Sequence, residues 1–156
     1  MSRLAFMSPD ECGPQARIVS PLRQVRSGAF TDVSSLGKLE VRGEELPDGA
    51  IPLGPNRGLL VFDGDVRETR DRLTRQGLRV YDQTGSLAAL EVDGEDLMRR
   101  LTELDLEALP AIGAIARGTP ALIERRGGER FRLFVPQELG HYVGEVVDDM
   151  AKGLGR

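Results

Sequence analysis

The chain has 156 residues, of which 40% are hydrophobic and 29% charged, with a formal net charge of −4. That is enough chain for one good core. It lacks both the long apolar runs of a membrane protein and the concentrated basic face of a general nucleic-acid binder.

Aromatic residues make up 4% and Trp is absent, so the core has to be built from Leu, Val, Ile and Ala. Arg is frequent but interspersed with Asp and Glu, the composition of a solvated mixed surface. The single Cys12 cannot form an internal disulfide, which points to a reducing compartment. No run approaches the roughly 18 apolar residues of a membrane helix, and no apolar signal block is recognisable near the start. The expected location is the cytoplasm, with neither membrane nor nucleic acid as a partner.

Residues 1–29 hold Pro9, Gly13, Pro14, Pro21 and Gly28, with apolar residues in ones and twos. This composition predicts a flexible N-terminal arm or an extended segment lying on another surface. Within it, Ile18-Val19 and Ser20-Pro21-Leu22 form a short piece able to dock. A single α+β domain is expected over 30–154, in two related halves of about 30–80 and 81–154.

In the first half, Lys38-Leu39-Glu40-Val41 alternates polar and apolar residues and reads as a strand with Leu39 and Val41 on one face. Glu44 to Asn56, with three prolines and two glycines, reads as a loop. Gly58 to Phe62 is a short buried-strand run. Asp65, with Glu68 three residues on, is a capping-box start for a helix that ends at Gln76–Gly77. Its inward residues are Val66, Thr69 and Leu73. Leu78 to Tyr81 is a further strand.

In the second half, Leu87 to Val92 reads as a strand, and Gly94-Glu95-Asp96 opens a helix carrying Leu97, Met98 and Leu101. A turn at Pro110 precedes apolar runs at Ile112–Ala116, Pro120–Arg125 and Arg130–Val135. The last two flank Gly127-Gly128, a hairpin signal. From Pro136, Leu139, Val143, Val146, Val147 and Met150 recur at helical spacing. The whole predicts an α+β fold: a mostly antiparallel sheet with helices packed on one face.

The halves carry an internal repeat. Ser35-Leu36-x-x-Leu39-Glu40-Val41-x-Gly43-Glu44-x-Leu46 matches Ser86-Leu87-x-x-Leu90-Glu91-Val92-x-Gly94-Glu95-x-Leu97 at a constant offset, with eight identities in twelve positions. Each copy reads as a strand leaving the sheet at a glycine, with an acidic residue just beyond.

No catalytic, cofactor-binding or metal-binding residue stands out. His141, with Glu138 or Glu145 at helical spacing, is better read as a solvent-facing helical side chain than as a metal ligand. Asp148-Asp149 lies near a helix C-terminus and reads as a solvated pair. Gly140 and Gly144 leave a flat strip on the last helix, for close packing on the sheet or for a partner. Arg125-Arg126 is an exposed turn pair. Leu53-Gly54-Pro55-Asn56-Arg57-Gly58 lacks the ending of a phosphate loop.

Several segments in order resemble one family. They are Ser20-Pro21-Leu22, Asp32-Val33-Ser34 before Lys38 to Gly43, Leu53 to Asn56, Tyr81-Asp82-Gln83-Thr84, Glu91 to Gly94, Leu104-Asp105-Leu106, Gly118-Thr119 and Arg130 to Val135. Together they resemble the gamma subunit of heterotetrameric sarcosine oxidase, within the folate-binding aminomethyltransferase group that includes the glycine-cleavage T-protein. The resemblance implies a fold like the N-terminal folate-binding domain of those transferases. It also implies a non-catalytic accessory role beside larger sarcosine-oxidase-like subunits that oxidise an N-methyl amino acid. Flavins and NAD are then expected only on those partners, and tetrahydrofolate is the one cofactor that the resemblance offers to this chain itself. The alternatives are a stand-alone folate-binding protein or a homo-oligomeric scaffold. Where the catalytic relatives carry an acidic residue after a Gly-Gly turn, this chain has Arg117-Gly118-Thr119-Pro120, without a carboxylate.

Overall fold

The computed structural model describes residues 19–25 and 27–155. Nine strands and three α-helices follow in chain order among them: β1 Phe30–Asp32, β2 Gly37–Arg42, β3 Ile51–Gly54, β4 Arg57–Phe62, α1 Val66–Arg75, β5 Arg79–Asp82, β6 Leu87–Asp93, α2 Glu95–Leu101, β7 Ala111–Ile115, β8 Thr119–Gly127, β9 Arg130–Pro136 and α3 Gly140–Lys152. Short 3-10 turns cover Leu106–Ala108 and Gln137–Leu139.

The class is α+β and every strand pair is antiparallel, but the strands form two sheets rather than one. The larger has the order β1-β6-β9-β8-β7 and the smaller β3-β4-β2-β5. Each sheet has helices on one face. Ala88, Leu90 and Val92 of β6 and Phe131, Leu133 and Val135 of β9 form one core with Leu97, Met98 and Leu101 of α2 and Val143 and Val147 of α3. Leu39 and Val41 of β2 pack on Leu73 of α1. The remaining faces meet each other through Ile51 and Leu59 on one side and Ala89, Leu122 and Phe134 on the other. Strand alternation requires this arrangement, because odd and even residues of β2 and β6 serve different layers.

Local chemistry sets the ends of the elements. The Asp65 carboxylate accepts from Glu68 N–H at 2.8 Å and starts α1. Gly127 and Gly128 both have positive φ in the β8–β9 turn, a conformation in which glycine avoids the Cβ clash. Residues 44–56, expected as a loop, contain β3. Its Pro52 and the register irregularity between Pro52 and Gly54 are tolerated because β3 is an edge strand, bonded on one side only.

The repeat is a structural one. Strand β2 lies between β4 and β5, and β6 lies between β9 and β1. Matching the strand orders through the repeat sets β3, β4, β2 and β5 against β8, β9, β6 and β1. Strand β1 thus takes in the larger sheet the place that β5 takes in the smaller, and both connections, β1 to β2 and β5 to β6, pass from one sheet to the other.

Each connection bonds to the strand that follows the other, in a reciprocal pattern. Asp32 and Asp82 each accept from the backbone N–H two residues on, at Ser34 (3.0 Å) and Thr84 (2.8 Å). These Asx turns fix the path of the chain. The Ser34 hydroxyl accepts from Ala89 N–H at 3.0 Å and donates to Ala89 C=O at 3.3 Å. The Thr84 hydroxyl accepts from Lys38 N–H at 3.1 Å and donates to Lys38 C=O at 3.5 Å. Val33 N–H donates to Ala89 C=O and Gln83 N–H to Lys38 C=O. Ala89 and Lys38 are equivalent positions of the repeat.

Of the expected N-terminal arm, residues 1–18, Cys12 included, and Arg26 lie outside the described residues. The part from residue 19 turns over α3, and Leu22 is 2% exposed. A methyl group added at Gly144 would come within 2.9 Å of Leu22, and one at Gly140 within 2.8 Å of Ala88 and 2.9 Å of Pro21. The glycine strip on α3 is therefore filled by the sheet and by the chain's own Pro21-Leu22 segment. Among the described residues no helix is long and apolar enough to cross a membrane.

Leu90 is fully buried between β1, β9 and the helices. Leu90→Ala is expected to lower the unfolding free energy by about 2–5 kcal/mol, read from urea denaturation. A loss below about 1 kcal/mol would mean that β6 presents its other face to the helices.

Candidate functional site

The faces that turn toward each other carry charge as well as apolar side chains. On the smaller sheet Lys38, Glu40 and Arg42 share the inner face of β2. On the larger, Glu91, Arg132 and Glu124 stand side by side on β6, β9 and β8. Glu40 and Glu91 are the paired glutamates of the repeat, and each is held by arginine. Arg57 donates to both Glu40 oxygens at 3.0 Å, and Arg42 Nε donates at 2.7 Å. Arg132 donates to Glu91 at 2.6 and 3.0 Å and to Glu124 at 3.2 Å.

The environments push the carboxyls in different directions. Burial raises Glu40, but the hydrogen bonds from Arg57 and Arg42 outweigh it and leave the group below the usual glutamate value. Burial raises Glu124 above it, because Arg132 is shared with Glu91 and Arg126 stands off at 3.9 Å.

Between the sheets opens a cleft of about 360 Å³. Leu53 and Leu59 form one wall, and Leu122 and Phe134 the other. Ile112 on β7 stands at the rim and is 61% exposed. Glu40, Arg57 and Gln83 are its polar groups. Apolar walls with a few convergent polar groups are the usual make-up of a ligand or partner site. A larger hollow of about 500 Å³ between the end of α2 and the β7–β8 turn is lined by Arg99, Arg100 and Arg117 beside backbone. It has less apolar wall, and the arginines of α2 already complement the C-terminal end of their helix.

The residues singled out from sequence do not converge. His141 is exposed on α3, with Nε2 3.2 Å from Glu145. Asp148 accepts from Ser27 at 2.6 Å and pairs with Lys152, and Asp149 lies 3.7 Å from the same lysine. Arg125 is engaged by Glu95 and Glu107 and stacks on Phe131, 4.9 Å from the ring centroid. Arg126 reaches Glu124. Arg117 sits in the β7–β8 turn at φ 59. Among the described residues no three of His, Cys, Asp and Glu come together as metal ligands.

Lys38 was legible only as a polar position of a strand. Its side chain is fully buried, and Nζ donates to the carbonyls of Ser34 and Leu36, both at 2.8 Å. The amine thus ties the first connection to the strand that follows it. Burial lowers its pKa to about 8, against the opposing pull of Asp32 and Asp82.

No protein-family profile matches the chain, and no curated protein sequence is significantly similar to it. In fold, it is similar to a subunit of heterotetrameric sarcosine oxidase. The matching structure is the enzyme from Corynebacterium sp. U-96 in complex with pyrrole 2-carboxylate. The match has a TM-score of 0.64 at 14% identity and covers 81% of this chain and 85% of that one. The two chains are therefore close to equal in size.

The Lys38 amine makes a pH prediction. Below about pH 8 the folded state carries the full cost of a buried ammonium. Between pH 8 and the unfolded value of 10.5, unfolding takes up a proton, so stability rises with pH. Urea denaturation at pH 7.5 and 9.5 is expected to show that rise, and Lys38→Met is expected to abolish it. An equal rise in the variant would assign the effect to another group.

Proposed function

We propose that this chain is a small, non-catalytic subunit of a sarcosine-oxidase-type complex that oxidises an N-methyl amino acid. The observation that carries the reading is the fold match, which spans most of both chains and pairs this protein with one of similar size. The chemistry of the inner faces agrees with it. The described carboxylates there are engaged by guanidinium groups, an arrangement that orders a sheet interface and leaves no acid–base pair poised on a cleft. In this reading the flavins and NAD belong to larger subunits.

Tetrahydrofolate does not fit the cleft between the sheets well. Its one lining carboxylate, Glu40, is already bonded at both oxygens by arginine. The accessory role therefore stands ahead of stand-alone folate binding.

Co-expression of the full chain with the large flavoprotein subunits of such an oxidase, followed by size-exclusion chromatography, is expected to give co-elution in fixed stoichiometry. The isolated chain is expected to be colourless and without oxidase or aminomethyltransferase activity. Micromolar binding of tetrahydrofolate by calorimetry, with no co-elution, would overturn the subunit reading in favour of a folate-binding protein.

A further inference from the structure

One end of the smaller sheet carries three arginines in a row across adjacent strands. Arg42 of β2 is directly opposite Arg57 of β4 on one side and Arg79 of β5 on the other. Side chains directly opposite in an antiparallel pair have Cβ atoms about 4.5–5.5 Å apart, and like charges there destabilise the sheet. A sheet built for stability alone alternates the signs. Here one carboxylate, Glu40, neutralises one charge of the three.

The row is also held in place. Glu40 takes Arg57 through both of its oxygens and takes Arg42 through Oε1. The Arg42 guanidinium lies over the Tyr81 ring, 4.9 Å from its centroid, and Tyr81 is 43% exposed. Arg79 is exposed and has no ion-pair partner among the described residues. The three arginines, with Asn56 of the β3–β4 turn and Glu44, which has no ion-pair partner among the described residues, surround an open hollow of about 390 Å³. Arg57 also lines the apolar cleft between the sheets, so the basic row and that cleft are continuous.

We propose that this arginine row is a docking surface for an acidic segment of a partner protein. Two neighbouring carboxylates of the segment pair with Arg79 and with the free edges of Arg42 and Arg57, and an adjacent apolar side chain enters the cleft beside Leu53. Ordered guanidinium groups suit carboxylates because their fork of N–H donors binds both oxygens at once. Tyr and Arg are among the residue types enriched at interface hot spots. Charge favours a peptide over nucleic acid. The chain is acidic overall, and with Glu40 bonded to the row and Glu44 at its rim the site is a small cluster of guanidinium groups rather than the broad basic face that a phosphate backbone requires. The inference takes the nature of the partner from the subunit reading above, but the surface is testable without it.

The probe is a fluorescein-labelled deca-glutamate peptide, followed by fluorescence anisotropy with the full chain. Wild type is expected to bind with an affinity that falls as salt is raised. Arg79→Glu, with an unchanged thermal midpoint, is expected to weaken binding by about tenfold or more, and Arg79→Lys to retain part of it. Arg67→Glu on the exposed face of α1 makes the same change in net charge and is expected to leave binding intact. Equal weakening by Arg79→Glu and Arg67→Glu would overturn the proposal. So would tighter, Arg79-dependent binding of a 12-base-pair DNA duplex. In co-expression with the flavoprotein subunits, Arg79→Glu is expected to reduce co-elution. If wild type co-elutes and Arg79→Glu does so equally, the surface is refuted and the subunit reading survives. If wild type never co-elutes but the peptide results hold, the surface stands and the subunit reading falls.

Discussion

The reciprocal hydrogen bonding of two short connections sets most of this structure. Ser34 binds the backbone of Ala89, Thr84 binds the backbone of Lys38, and an aspartate two residues earlier shapes each turn. These hydroxyls are buried, so a missing partner would cost the desolvation of a backbone group as well as the bond. The crossing therefore fixes the register of β2 and β6 together, and with it which residues of each strand face helices and which face the other sheet. Each sheet has as one edge the strand, β1 or β5, whose connection leads to an inner strand of the other sheet.

That division of faces explains the odd chemistry of the interior. Each central strand gives its Leu and Val to a helix-covered core and its Glu to the opposite face. The inner faces are consequently only partly apolar. Arginines from neighbouring strands bring the glutamates close to neutrality where the sheets touch, and where the sheets diverge the cleft and the arginine row are left open. At Lys38 the two halves differ inside the interior, since its counterpart is Ala89. A buried amine there binds two carbonyls of the connection beside it.

Much of this was legible in the sequence. Alternation at Leu39 and Val41, the Asp65–Glu68 cap and Gly127-Gly128 are local signals, and local geometry obeyed them. The repeat was visible as letters, and the equivalence of β2 and β6 followed. Pairing was not visible. Glu40 meets Arg57 and Glu91 meets Arg132 through strand neighbours far along the chain, so no spacing rule reveals them. Strand β3 was hidden by Pro52, because a proline argues against a strand until the strand is known to lie at an edge. Gly140 and Gly144 announce a close approach without naming what approaches, and the Pro21-Leu22 segment that fills the strip is legible only as a short piece able to dock, with no signal of where it docks.

The position of β1 has a further meaning. It completes the larger sheet as β5 completes the smaller, yet it is attached to the strand at the centre of the other sheet. Two identical half-length chains that exchanged one edge strand in a homodimer would have this connectivity if a single peptide link then joined them. The fold has in that sense the connectivity of a strand-swapped dimer written as one chain, with the crossing as its hinge region. Within one chain, two such halves need not be alike. One was free to keep a lysine where the other has an alanine, and to gather on its own sheet a row of arginines that a symmetric dimer would have had to display twice.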